Sequence, residues 1–164
     1  MNRLPHLTLL AIAFILAITA CNDDSCYDNG SSLPLAQCYI NGGQMTLTGL
    51  TIKGIGVPGD SLLADSSALS EFYMPLRASV SSTSYMIQRQ VIINSVPIKT
   101  VDTLTIDYDP IEYFHSTQCG AMFNFRVRHV TCTKHGIDSV TLLTPLITNA
   151  IVPALRIHFT DLNP

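Results

Sequence analysis

Apolar side chains recur at every second position over most of this chain. Leu104, Ile106 and Tyr108 alternate with Thr103, Thr105 and Asp107, and Phe123, Phe125 and Val127 alternate with Asn124, Arg126 and Arg128. Near the end, Leu155, Ile157 and Phe159 do the same against Arg156 and His158. A period of two is the mark of a strand with one buried face, because successive side chains of an extended chain point to opposite sides. Further strands are expected over residues 45–57, 72–78, 84–94 and 137–144, with Gly49, Gly54 and Gly56 marking bulges or a bend in the first. Residues 58–70 read as a loop with a helical turn at Leu62-Leu63-Ala64. No stretch carries a convincing helical period, and only 13% of the residues are charged, about half the usual quarter. Seven or eight short strands with turn signals between them make an all-β fold, a single antiparallel β-sandwich, immunoglobulin-like in general architecture.

The first twenty residues stand outside that pattern. Residues 7–20 form an uncharged, almost wholly apolar run of fourteen, preceded by Arg3. A helix that spans a bilayer needs about 20 such residues, so the run has the length and flanks of a signal peptide and not of a membrane span. Ile18-Thr19-Ala20-Cys21 looks like a bacterial lipobox: an aliphatic residue, two small ones, then the cysteine that receives diacylglycerol. Cys21 is the expected lipidation site, and its acyl groups (palmitate and the like) make the membrane a partner by anchoring. The chain then divides into a lipoprotein signal peptide at 1–20, a lipidated tether and entry loop at 21–37, and the sandwich at 38–164. The acidic Asn22-Asp23-Asp24 resembles the export signal of Bacteroides-type lipoproteins. The expected location is the outer membrane of a Gram-negative cell, on its surface or its periplasmic face.

Four cysteines remain once Cys21 is lipidated: Cys26, Cys38, Cys119 and Cys132. An even count in an exported chain reads as two disulfide bonds. Cys119 and Cys132 flank a single expected strand, and at about 3.3 Å per residue they stand roughly 40 Å apart, far beyond disulfide reach. They also have opposite parity. That disfavours Cys119–Cys132 and with it Cys26–Cys38. The expected pairs are Cys26–Cys119 and Cys38–Cys132, with crossed pairing as the alternative.

Several short segments fall into a familiar order: Cys21-Asn22-Asp23-Asp24-Ser25-Cys26, Phe72-Tyr73-Met74-Pro75-Leu76, residues 102–108, Cys119-Gly120 and Leu155-Arg156-Ile157-His158-Phe159. Together they resemble a family of short, uncharacterised Bacteroides-type lipoproteins, a domain of unknown function. In that family the cysteine soon after the lipidated one and the cysteine of Cys-Gly recur as a pair, which the resemblance carries to Cys26 and Cys119. It brings no activity.

Constellations that carry chemistry are few. Gly59-Asp60-Ser61-Leu62 spells the nucleophile block of GDSL esterases, but a serine nucleophile needs a base within about 3 Å and the chain has no Asp-x-x-His. It reads as a polar turn. His129, Cys132 and His135 have metal-like spacing, yet a strand puts the cysteine on the face opposite the histidines, so no metal site is expected. Asp107, Asp109 and Glu112 could serve calcium or glycoside hydrolysis, and read more simply as a solvated strand end before a turn at Pro110. Asn124, Arg126 and Arg128 form a possible anion-binding face in the only basic stretch.

The net charge of −3 gives no hold on a phosphate backbone, so no nucleic-acid partner is expected, and no cofactor is. What remains is a lipid-anchored envelope lipoprotein acting as a non-enzymatic binding or structural accessory, with another envelope protein or an envelope glycan as partner. The alternatives are a carboxylate-dependent hydrolase of an envelope or glycan polymer, and a carrier of a small apolar ligand. A buried carboxylate in a cleft would favour the first, and a cavity between splayed sheets the second.

Overall fold

The computed structural model describes residues 32–56, 61–117 and 120–162, which form eleven strands in two sheets. In chain order these are β1 (Leu35–Ile40), β2 (Gly43–Gln44), β3 (Leu47–Ile55), β4 (Leu62–Leu69), β5 (Glu71–Tyr73) and β6 (Ser82–Ile93). They continue with β7 (Val96–Ser116), β8 (Gly120–Cys132), β9 (Ile137–Leu142), β10 (Leu146–Ile147) and β11 (Pro153–Phe159). The smaller sheet runs β2-β1-β11-β9, with β5 also paired to β1, and the larger runs β10-β8-β7-β6-β3-β4. One cluster of buried side chains draws on both, with Cys38, Leu155 and Ile157 from the smaller sheet and Ile52, Tyr85, Leu104 and Ile106 from the larger. Each buried Leu or Ile there contributes about 1.5–3 kcal/mol, which makes the period-two pattern the main determinant of the fold. The all-β sandwich is the architecture observed.

Tight turns set the registers. Asn41-Gly42 and Asn94-Ser95 each place two successive residues at positive φ. That is the two-residue hairpin turn whose twist matches its strands, and it fixes Ile40 opposite Gly43 and Ile93 opposite Val96.

The structure departs from the expected strands in five places. β1 begins at Leu35, inside the expected tether, and pairs with β11 in parallel, Cys38 beside Ile157. Alternation is the same in either orientation, and no turn constrains strands from opposite ends of a chain. β4 occupies the expected loop. It is an edge strand with mostly exposed side chains, and its register with β3 is irregular, so it has no apolar alternation to read. The strand expected over 72–78 ends at Tyr73. β7 runs through Pro110 to Ser116, where a turn was expected. β6 pairs only as far as Asp107, and Tyr108 N–H still donates to the Ser81 carbonyl on that flank. Two residues later Pro110 turns its donor-less nitrogen to the same, now open, side, so no ladder bond is lost. Finally, β8 carries a bulge at Arg128: Asp107 faces His129 while Tyr108 faces Val127. The extra residue reverses the parity downstream, so Val130 and Cys132 turn to the core side.

The expected Cys38–Cys132 bond is not formed. Both are free thiols, Cys38 fully buried in β1 of one sheet and Cys132 at the end of β8 in the other, opposite Leu104. Cys21, Cys26 and Cys119 lie outside the described residues, as does the expected signal peptide.

Candidate functional site

Beyond the end of β6, β7 and β8 continue as an arm, with Pro110 opposite Phe125 and Phe114 opposite Ala121, and β10 flanks β8 there only at Phe125 and Arg126. Facing the arm is the segment that crosses from β5 to β6. It has no ladder of its own, and two buried tyrosines from the larger sheet hold it instead. Tyr85 donates its hydroxyl to the Pro75 carbonyl, and Tyr108 donates to the Arg77 carbonyl (2.9 Å) while accepting from Arg77 N–H (3.0 Å). Thr83 Oγ1 completes the set, 2.7 Å from the Tyr108 oxygen. Burial raises the Tyr85 pKa, so that hydroxyl stays a donor.

Between this strap, the arm and the entering chain lies an open cleft of about 410 Å³, lined by Ser32, Leu33, Leu76, Met122 and Phe123 among others. That volume falls in the range, roughly 300–1,000 Å³, of sites that take small molecules or a partner's side chains. Pro75 and Leu76 also line a second recess of about 300 Å³ with Leu63, Arg77 and Tyr85. Phe114, 69% exposed, projects from the strand pair that walls the cleft.

The expected anion-binding residues come out differently from one another. Asn124 accepts a hydrogen bond from Ser32 Oγ at 3.1 Å, which ties the entering chain to β8. Arg126 is exposed and stands opposite Asp109. Arg128, displaced in the bulge, reaches the Asp109 carboxylate at 3.4 Å and the Tyr108 carbonyl at 3.5 Å. The face therefore holds its own anion, leaving Arg126 as the outward cation. Asp109 and Glu112 are exposed and Asp107 half-buried, so these acids do not gather in a cleft. Ser61 is exposed at the head of β4, its carbonyl accepting from Gly54 N–H. His129 is on β8 and His135 in the following loop; among the described residues no three His, Cys, Asp or Glu side chains come together as metal ligands.

The carboxylate that the sequence reading missed is Asp102, 2% exposed. Its Oδ1 accepts from the Thr133 hydroxyl (2.7 Å) and His135 N–H (2.8 Å), with His135 Nδ1 at 3.3 Å. Its Oδ2 accepts from Gly136 N–H (2.7 Å) and Ile137 N–H (3.1 Å). Burial alone pushes its pKa up, but the backbone bond from His135, the Thr133 hydroxyl and the Gly136 N–H outweigh it and hold the carboxyl below its ordinary value. An acid so fully engaged clamps the β8–β9 loop and is in no position to shuttle a proton.

Both thiols are shifted toward the protonated form. Burial pushes the Cys38 thiol up to about 12, against a smaller opposing effect of Arg89, and burial with the nearby Asp102 charge also raises Cys132. In the native protein at pH 8, iodoacetamide is expected to leave Cys38 unmodified, and to alkylate it fully once urea unfolds the chain; peptide mass mapping reads both states. Native-state alkylation of Cys38 would contradict the burial.

Residues 49–159 match a family of unknown function, DUF6452. The chain belongs to that family. The DUF6452 region runs from the bulge of β3 to the last residue of β11, so it holds the strap, the arm and the Asp102 clamp. It leaves out β1, although β1 lies between β2 and β11 in the smaller sheet. Neither a curated protein nor a solved structure matches the chain.

Proposed function

We propose that this DUF6452 chain is a lipid-anchored lipoprotein of the outer membrane, a non-enzymatic accessory that captures another envelope protein or an envelope glycan in the cleft beside the β7–β8 arm. The observation that carries the reading is where the chain enters. Ser32 and Leu33, eleven and twelve residues after the lipobox cysteine, themselves line that cleft. A tether from Cys21 thus brings a preformed, partly apolar groove close to the bilayer, where anchoring raises the effective concentration of any membrane-bound partner. The Cys26–Cys119 bond belongs with the same reading, since the envelope is oxidising.

The chemistry supports binding over hydrolysis. Asp109 and Glu112 are exposed, and Asp102, with its lowered pKa, is committed to the β8–β9 loop. A carrier of an apolar ligand would need room between the sheets, where one cluster of buried side chains sits instead.

The test uses a tagged copy in cells, labelled with palmitate and crosslinked before pull-down. The wild type is expected to take up label and to capture one envelope protein reproducibly. Cys21→Ala loses both, whereas Phe123→Asp keeps the label and loses the capture. An unlabelled wild type would end the lipoprotein reading, and a labelled wild type with an empty pull-down would end the protein-partner reading and send the search to glycans.

A further inference from the structure

The loop between β9 and β11 forms an apolar tip at the end where the chain enters the domain. Ile151 is 79% exposed, Val152 46% and Leu146 44%. A single exposed aliphatic residue is ordinary, but these are grouped: Leu33, Leu146 and Val152 line one small depression. The tip is held firmly. Thr144 Oγ1 donates to the Pro153 carbonyl at 3.1 Å, Leu143 N–H donates to the Ala154 carbonyl at 2.8 Å, and Val127 N–H donates to the Pro145 carbonyl at 2.7 Å. Leu146 pairs with Arg126, so an exposed guanidinium sits beside the exposed aliphatics.

Exposed aliphatic side chains with an adjacent arginine are the composition of a surface that lies in a membrane interface, the apolar groups entering at the acyl boundary and the cation meeting anionic headgroups. We infer that the tip of residues 143–152, with Arg126, is a second membrane contact that seats on a bilayer containing anionic lipid; this rests on the tethering proposed above. Ten residues separate Cys21 from Ser32, which makes eleven steps along the chain. At about 3.3–3.6 Å each they keep Ser32, the neighbour of the Leu33 that borders the tip, within roughly 40 Å of the anchor point. A contact made inside a tether needs only modest intrinsic affinity, because the anchor supplies the local concentration. Asp109 neutralises Arg128 and the chain is net acidic, so the aliphatic residues carry the contact and Arg126 selects the headgroup. Two-point attachment would fix the orientation of the cleft relative to the membrane.

The chain contains no tryptophan, so one introduced tryptophan is a lone reporter. Ile151→Trp places it on the tip. Ile92→Trp places it at the far end of the β6–β7 hairpin, where Ile92 is equally open at 75% exposed. The acylated protein is reconstituted in vesicles of phosphatidylethanolamine and phosphatidylglycerol, with and without brominated acyl chains. Bromine is expected to quench the reporter of Ile151→Trp by about half and leave that of Ile92→Trp unchanged. Adding Arg126→Gln should weaken the quenching only where phosphatidylglycerol is present. The same measurement on the chain from residue 22, which contains every described strand, held on nickel-chelating vesicles by an N-terminal histidine tag, tests the tip even if Cys21 carries no lipid. No quenching at position 151, or equal quenching at both positions, overturns the inference.

Discussion

Asp102→Ala is expected to lower folding stability by about 3 kcal/mol, with a fall in Tm of roughly 10 °C. The substitution removes the acceptor of three backbone N–H groups and the Thr133 hydroxyl, of which Gly136 N and Ile137 N are buried. A buried donor without a partner costs about 1–3 kcal/mol, and the loss stays near the low end of the sum because the exposed His135 end of the loop can turn to water. The effect has a definite pH signature. The folded-state pKa of Asp102 lies below its ordinary 3.8, so the carboxylate contributes its stability in full above that value and loses it as the pH falls through the folded-state pKa. Urea denaturation between pH 2 and pH 7 is the measurement. Wild type should lose stability steeply below about pH 4, and Asp102→Asn, which has no charge to titrate, should be weaker at neutrality and lack that component. Equal acid slopes for the two proteins would show that Asp102 is not the linked group.

Asp102 also shows what the sequence carried and what escaped reading. It shares parity with Leu104, Ile106 and Tyr108, the buried face of β7. An aspartate on the apolar phase of a strand must find several donors or stay out of the core, and that signal was present in the chain. The donors themselves were not legible, because they come from a loop some thirty residues on, between Thr133 and Ile137. The bulge in β8 was written in the same way. Apolar residues fall on odd positions through Val127 and on even ones from Val130, so one residue had to be left out of the ladder. Asn41-Gly42, a strong hairpin signal, likewise marks a strand on each side of it, and the first of these, β1, begins at Leu35, inside what composition alone made look like tether.

The pairing of β1 with β11 and the cleft had no such signal. Both depend on where elements distant in sequence meet, and alternation says only that a strand has an inner face. The cleft exists because β6 stops pairing at Asp107 while β7 and β8 continue, and because two tyrosines hold a strandless segment across the gap. Tyr85 and Tyr108 could be read as core from their phase. That their hydroxyls would hold the backbone at Pro75 and Arg77 follows only from the folded arrangement. The lipobox-like run Ile18-Thr19-Ala20-Cys21 is the reverse case: a pattern legible in the sequence that lies outside the described residues.

Gly49→Ala is expected to be among the most damaging single-methyl changes in the larger sheet. Gly49 has φ of +69°, and a Cβ built there would lie 1.9 Å from the Gln90 carbonyl oxygen and 3.0 Å from its carbon. Those are backbone atoms of β6, so no side chain can rotate away, and either β3 or β6 must move. β3 lies between β4 and β6, paired on both flanks, which leaves little freedom for that shift. Left-handed backbone alone costs a non-glycine residue about 1–2 kcal/mol, and displacing a paired strand brings the expected total to roughly 4 kcal/mol. Gly56 separates the two contributions. Its φ is +68°, almost the same, but nothing lies within 4 Å of a Cβ there. Gly56→Ala should therefore cost only the conformational share, about 1 kcal/mol. Urea midpoints of the two variants, taken with unchanged m-values, give the difference directly. If Gly49→Ala unfolds at the same urea concentration as Gly56→Ala, the close approach of β3 to Gln90 is absent in solution.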